Sequence, residues 1–479
     1  NIFTQLIHIL NLKKEDSQIA EMCLQVISQT IALPRMASHF SSQQFIKTLV
    51  FVSRLNSKSS THSLYISKIS MYLNARMELV LKDLCISLVV LSRNFSRNEQ
   101  LQESILSGFA QLSGAKIMNE VASLSIPHFT DIALRYSRNI SITKSLLTIL
   151  SQSPPNTIQE IDFSIIMDQC KRFKDDPQTI MKSIDFISTK MDPKQTPFEV
   201  FPLVIMAIQL FLSNSSVLKQ TLTICYYATT SSNDDPPLSP KLIHLLTSIL
   251  YLHSREPSLI RRTAAILHSL SSNQQNDEFL IESSAPASLI KTIQLNIKDQ
   301  HSIECIVASL SNFASNNKEL ALQISTPDYL KTLQQICKIY KNEGKILKNA
   351  ILLIKALALS KYEFSEFIDL PQQEKKEFYI DKKIGSFILK KQLSNLNLIK
   401  SVLLLMPPSP EESTLISAAM IKYPKDEEIQ YAGLLHNISD LSAINRALLL
   451  CGENGFRYAI QSLKESEEIL PPQTIDFLL

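Results

Sequence analysis

Ser258 to Ser272 reads SLIRRTAAILHSLSS, an apolar helix bounded by polar residues. Asn273-Gln-Gln-Asn276 breaks it, a short apolar turn follows at Glu278-Phe-Leu-Ile281, and Pro286 then opens a helix over 287–295. The plan returns twice. His301 to Ser315 (HSIECIVASLSNFAS) leads through Asn316-Asn-Lys318 to Glu319-Leu-Ala-Leu322, after which Pro327 opens a helix over 328–340. Lys345 to Ser360 (KILKNAILLIKALALS) leads to Glu363-Phe-Ser-Glu-Phe-Ile368. In the middle copy Ile303, Ile306, Val307, Leu310 and Phe313 follow i, i+3, i+4, i+7 and i+10, the spacing of a single helix face. A fixed period of this length marks a stacked helical array.

The register extends outward from these copies. An apolar anchor three residues before the end of each long helix's core falls at Leu267, Leu310 and Ile354, spaced 43 and 44 residues apart. Counting backwards, Ile224, Ile184, Leu147 and Phe109 take equivalent places, at spacings of 43, 40, 37 and 38. A proline is expected to open the middle helix of five units, at Pro127, Pro202, Pro240, Pro286 and Pro327. Proline suits a first helical position, where its missing N–H has no partner to lose.

Composition agrees. The chain has 479 residues, 45% of them apolar, and only 7 glycines, against the roughly 34 expected at about 7% usage. Sheets and nucleotide-binding α/β folds use glycine in hairpins and phosphate loops, so an all-α chain is expected. The net charge of +3 is too near balance to imply nucleic acid as a partner. The seven cysteines stand far apart with no CxxC, which reads as reduced thiols in cytoplasm or nucleus. On that reading the sequons at Asn94, Asn139, Asn214 and Asn437 carry no glycan. The longest apolar stretch, 200–212, is 13 residues and broken by Pro202, too short for a membrane span of about 20. The chain begins at Asn1 without Met and stops at Leu479 in an apolar run, so it is expected to belong to a longer protein.

A period near 40 with two long helices and one short resembles the armadillo repeat. The likeness is clearest over 257–368 and returns at Tyr423-Pro-Lys-Asp-Glu-Glu-Ile-Gln-Tyr-Ala-Gly-Leu-Leu-His-Asn-Ile-Ser439. Cys451-Gly-Glu-Asn-Gly-Phe-Arg457 is similar to the family's glycine turn, which elsewhere in this chain is replaced by Ser-Ala-Pro or Ser-Thr-Pro. HEAT repeats are the nearest rival, and an irregular helical array the plainer alternative. The resemblance implies a right-handed α-α superhelix of armadillo/HEAT-like three-helix repeats. It implies one continuous solenoid over 1–479 of ten to eleven repeats, irregular at 1–100 and 371–410.

Such stacks present their third helices to a partner. In armadillo proteins that carry extended peptides, an Asn on each third helix holds the ligand's main chain, and importin-like members add a Trp. Here the anchor-plus-two positions are Gln111, Ile149, Phe186, Tyr226, Ser269, Asn312 and Ala356, with Asn437 in the late repeat. Only two of the eight are Asn and the chain has no Trp, so an importin-α-type carrier of basic peptides is not expected. Gln111, Tyr226, Ser269, Asn312 and Asn437 are the candidate partner-binding residues. Ile149, Phe186 and Tyr226 would suit a partner helix if exposed; buried, they are ordinary core.

The chain has no GxxxxGK[ST], GxGxxG, HExxH or GxSxG, and its nine histidines are scattered. Glu411-Glu412 and Glu427-Glu428 fall at helix starts, where they favour the helix dipole. The lysines gathered between Lys338 and Lys391 are interspersed with acids and read as a solvated face. The expectation is a non-catalytic scaffold or adaptor for other proteins, with no cofactor, metal or small-molecule substrate. Two rivals remain: a nuclear-transport or small-GTPase regulatory repeat protein, and the targeting arm of a larger enzyme.

Overall fold

A β-turn ending on a helix N-cap recurs along the chain and organises everything around it. The cap residues are Asp16, Ser59, Asn98, Asn139, Asp176, Asn214, Glu256, Asp299, Glu343, Asn395 and Asp426. Each donates its backbone N–H to the carbonyl three residues earlier, at 2.8–3.2 Å. Nine of these eleven side chains also accept from backbone N–H groups in the first turn of the helix that follows. Glu256 and Glu343 make no such bond. Short Asp, Asn and Ser side chains reach N2 or N3 from the cap, and the added methylene of Glu removes that fit.

In the computed structural model, the described residues are 2–33, 36–40, 42–73, 78–112, 114–154, 163–190, 200–230, 240–436, 438, 440 and 442–451. They are helical throughout, without strands. Contacts divide the chain into two compact units, Asn1–Ser231 and Ser232–Leu479.

The first unit runs in pairs: α1 (Ile2–Leu12) with α2 (Ser17–Thr30), α3 (Gln43–Leu55) with α4 (Ser60–Ser70), and α5 (Glu78–Asn94) with α6 (Glu99–Leu112). It continues with α7 (Ala115–Arg135) and α8 (Ile140–Gln152), α9 (Phe163–Arg172) and α10 (Pro177–Lys190), then α11 (Phe201–Leu210) and α12 (Ser215–Thr230). The second member of each pair packs on the second member of the next, from α2 through α12.

Pro127 does not open a helix. It lies inside α7, which fuses what were expected to be two helices. Val121, Ala122, Ile126, Phe129 and Ile132 on both sides of the proline are buried. Burial on that scale outweighs the roughly 3 kcal/mol that a helix-interior proline costs.

The second unit shows the expected short helix. After α13 (Pro240–Leu252) and α14 (Pro257–Leu270) come α15 (Asp277–Glu282), α16 (Ala285–Asn296) and α17 (Gln300–Asn316). The next triplet is α18 (Lys318–Ile324), α19 (Pro327–Ile339) and α20 (Gly344–Lys361). Then follow α21 (Phe364–Asp369), α22 (Gln372–Lys375), α23 (Lys382–Lys391) and α24 (Leu396–Leu405), and finally α25 (Ser413–Lys422) and α26 (Glu427–Leu434). The long last helices α14, α17, α20, α24 and α26 stack in order. The extra helix α22 lengthens one cap interval, and the following repeat is short, which is why 371–410 resists a fixed period.

All seven anchors, from Phe109 to Ile354, are buried. Small side chains stand at two contacts between the last helices of adjacent repeats. A Cβ on Gly108 would sit 2.8 Å from the carbonyl oxygen of Ser67. Ser309, ten residues past its cap as Gly108 is, donates at 2.7 Å to the carbonyl of Ala264. The glycine turn at 452–457 lies outside the described residues.

Candidate functional site

The caps give a stricter ruler for the third helices than the apolar anchors. Gln111, Ser269, Asn312 and Ala356 each stand thirteen residues past their caps at Asn98, Asp299 and their equivalents. In the intervening repeats that place belongs to Gln152, Thr189 and Tyr227, and in the earliest ones to Gln29 and Tyr72. None of these residues is buried. Tyr226 sits one residue before the row; it is 36% exposed and packs edge-on against Tyr227 with ring centroids 5.6 Å apart. Ile149 and Phe186 sit almost a full turn early and are core. The anchors slipped because i, i+3 and i+4 of a buried helix face are all apolar, whereas a cap is a single residue. The Asx and Ser caps were visible in the sequence and would have found Gln152, Thr189 and Tyr227.

Asn312 is engaged within the stack. Its amide donates to Ser271 Oγ at 2.5 Å and to the carbonyl of His268 at 3.4 Å, both at the end of α14. Asn316 donates to the carbonyl of Ser271 at 3.2 Å. These bonds fasten one repeat to the previous one. Ser269 is half-buried and also has a partner. Gln111 is exposed on α6. Asn437 lies outside the described residues.

Within the second unit the row opens into a groove of about 510 Å³ between the end of α17, the middle of α20 and the start of α24. Leu352, Ala356 and Leu359 line it, with Asn316, Lys355 and Asn397 among the polar groups. Lys355 crosses to Glu428 at 3.1 Å, and Lys400 reaches Asp426 at 2.8 Å and Glu428 at 3.8 Å. The first unit has a similar step, Lys144 to Asp176 at 3.0 Å. These pairs are half-buried; the Lys400 and Lys144 pairs tie consecutive repeats, while Lys355 reaches past α24 to the repeat after next.

Among the described residues no three His, Cys, Asp or Glu side chains are grouped as a metal would need. The seven cysteines are free; burial pushes the Cys85 and Cys337 thiols up to about 12 and the Cys170 thiol to about 11. Such thiols are held away from the nucleophilic thiolate form. Three of the four sequons have structural work: Asn139 and Asn214 are caps, and Asn94 donates to the carbonyl of Ser57 at 2.9 Å. No described helix is long and apolar enough to cross a membrane.

No protein-family model matches the chain, and no curated protein is similar to it in sequence. One solved structure, from work on a phosphorylation switch that controls the interaction between cadherin and β-catenin, is similar over 98% of this chain and 98% of its own. The TM-score is 0.67 at 11% identity. The fold is an armadillo-like helical solenoid. In the armadillo-like frame the short helices α15, α18 and α21 are first helices, and α14, α17, α20, α24 and α26 are third helices.

Proposed function

We propose that this armadillo-like chain is a non-catalytic scaffold that binds protein partners along its third-helix row. The observation that supports the reading is the groove at Ala356, a long recess lined by apolar groups and rimmed by amides, hydroxyls and Lys355. A recess spanning three successive repeats matches an extended or helical peptide better than a compact metabolite. The separate free thiols favour a reducing compartment, cytoplasm or nucleus.

The test is affinity capture with the chain and with a variant carrying Ala356→Glu and Tyr226→Glu, both checked by circular dichroism. A folded variant that loses the prey supports the row as the binding face. A folded variant that keeps it overturns the assignment. The single substitutions serve if the double variant unfolds.

A further inference from the structure

One residue of the lysine-rich stretch 338–391 leaves the solvated face. Lys375, at the end of α22, is 9% exposed, and its Nζ donates to the carbonyl of Ile368 near the end of α21. Burial lowers the pKa of its ammonium, and the carboxylate of Asp369 opposes that shift. Ile368 takes one of the three N–H groups that a lysine offers. Lys375 lines a cavity of about 200 Å³ together with Asp369, Gln372, Tyr379 and His436, against an apolar wall that includes Leu403.

His436 is 1% exposed. Its Nε2 lies 2.7 Å from the carbonyl of Leu403, which can only accept, so Nε2 carries the ring proton. Burial pushes the imidazole down to about 4, so it is neutral at pH 7 and Nδ1 is a bare acceptor. Nδ1 has no hydrogen-bond partner among the described residues; the other backbone oxygen beside the ring, that of Pro407, can only accept and so cannot serve a neutral Nδ1. A buried acceptor without a partner is costly, and native structures rarely leave one unexplained.

The cavity thus combines a cationic donor with two acceptors, the Asp369 carboxylate and His436 Nδ1. A simple anion would satisfy Lys375 and be repelled by both acceptors. An anion that brings its own protons meets all three. We propose that this cavity binds inorganic phosphate in its dihydrogen form, the two unprotonated oxygens accepting from Lys375 and the two P–OH groups donating one each to His436 Nδ1 and Asp369. Sulfate has the same shape and no proton near neutral pH, so the site discriminates against it. Phosphate monoesters, with a second pKa of about 6, are mostly aprotic dianions at pH 7.5 and are disfavoured for the same reason. This inference is independent of the scaffold reading, since the cavity is separate from the third-helix groove.

The test is calorimetric titration of the full chain with inorganic phosphate, with sulfate and glycerol 3-phosphate as controls at matched ionic strength and pH 7.5. Saturable phosphate binding that the controls do not reproduce is expected, with affinity reduced at least about tenfold in Lys375→Met. Absence of saturable phosphate binding, equal binding of sulfate, or unchanged affinity in the variant would each overturn the proposal. If the variant does not fold, ¹⁵N spectra of the histidines in the unmodified chain decide. Phosphate must shift the Nδ1 resonance of His436 while sulfate leaves it in place; an unmoved resonance sinks the idea.

Discussion

The hydroxyl of Tyr340 donates to the carbonyl of Ile297 at 2.8 Å, joining the turn before α20 to the turn before α17. Tyr136 to Ser96 at 3.0 Å and Tyr423 to Leu393 at 2.8 Å repeat the bond from the same place in their own turns. Asn296 does the same to Ser254 at 2.7 Å with an amide in place of a phenol. In each case the donor is three residues before a cap and the acceptor two before the preceding cap. The turns are therefore bonded to one another as a ladder along one edge of each unit.

Removing one rung tests the ladder. Tyr340→Phe keeps the ring, which is nearly buried, and deletes only the donor. The carbonyl of Ile297 then loses its partner, and stability should fall by about 1 kcal/mol. Urea denaturation of the two chains measures this; an unchanged midpoint would show that water replaces the phenol without loss.

One of the two repeats that lack a fitting cap offers the opposite experiment. Glu343 stands at the N-cap of α20 and makes no side-chain bond to the helix. Glu343→Asp should let the carboxylate reach the first-turn N–H groups as Asp299 does for α17, raising stability by about 1 kcal/mol. A midpoint that stays level or drops would mean that the turn cannot place the shorter side chain.

Acid should weaken the second unit through His436. An unfolded chain protonates this histidine near its ordinary value of 6.5, while the folded chain resists protonation until about 4 because the ring is fully buried. Between those values the unfolded state binds more protons. The histidine's contribution to stability is therefore full above 6.5 and is lost as pH falls toward 4. The loss reaches roughly 2.5 kcal/mol at pH 4.5. Denaturation midpoints at pH 7 and 4.5 should fall more steeply for the natural chain than for His436→Gln; equal slopes would remove His436 as the source.

Much of the fold is legible in the residues because helix formation is local. Apolar spacing along 258–272, 301–315 and 345–360 predicts the helices α14, α17 and α20 to within one or two residues. The short helix α15 is visible at Glu278-Phe-Leu-Ile281 for the same reason, and Pro286 and Pro327 stand at helix starts as proline chemistry requires. Pro127 shows the limit. Nothing in its neighbourhood says that the core contacts of α7 outweigh a missing hydrogen bond.

The sequence by itself determined an all-helical chain, its period and its anchored core, because glycine scarcity, capping and apolar periodicity all act within a few residues. Only the tertiary structure decided which third-helix residues face outward. Ile149 and Phe186 are covered while Gln111 and Tyr226 are open, and coverage depends on neighbouring repeats whose spacing varies. Tertiary packing also gave Asn312 its bonds to the end of α14. It drew Lys375 out of a lysine-rich surface and set it in one cavity with His436, sixty-one residues further along the chain. Distant groups meet only through the stacking of whole helices, and no local pattern encodes that meeting.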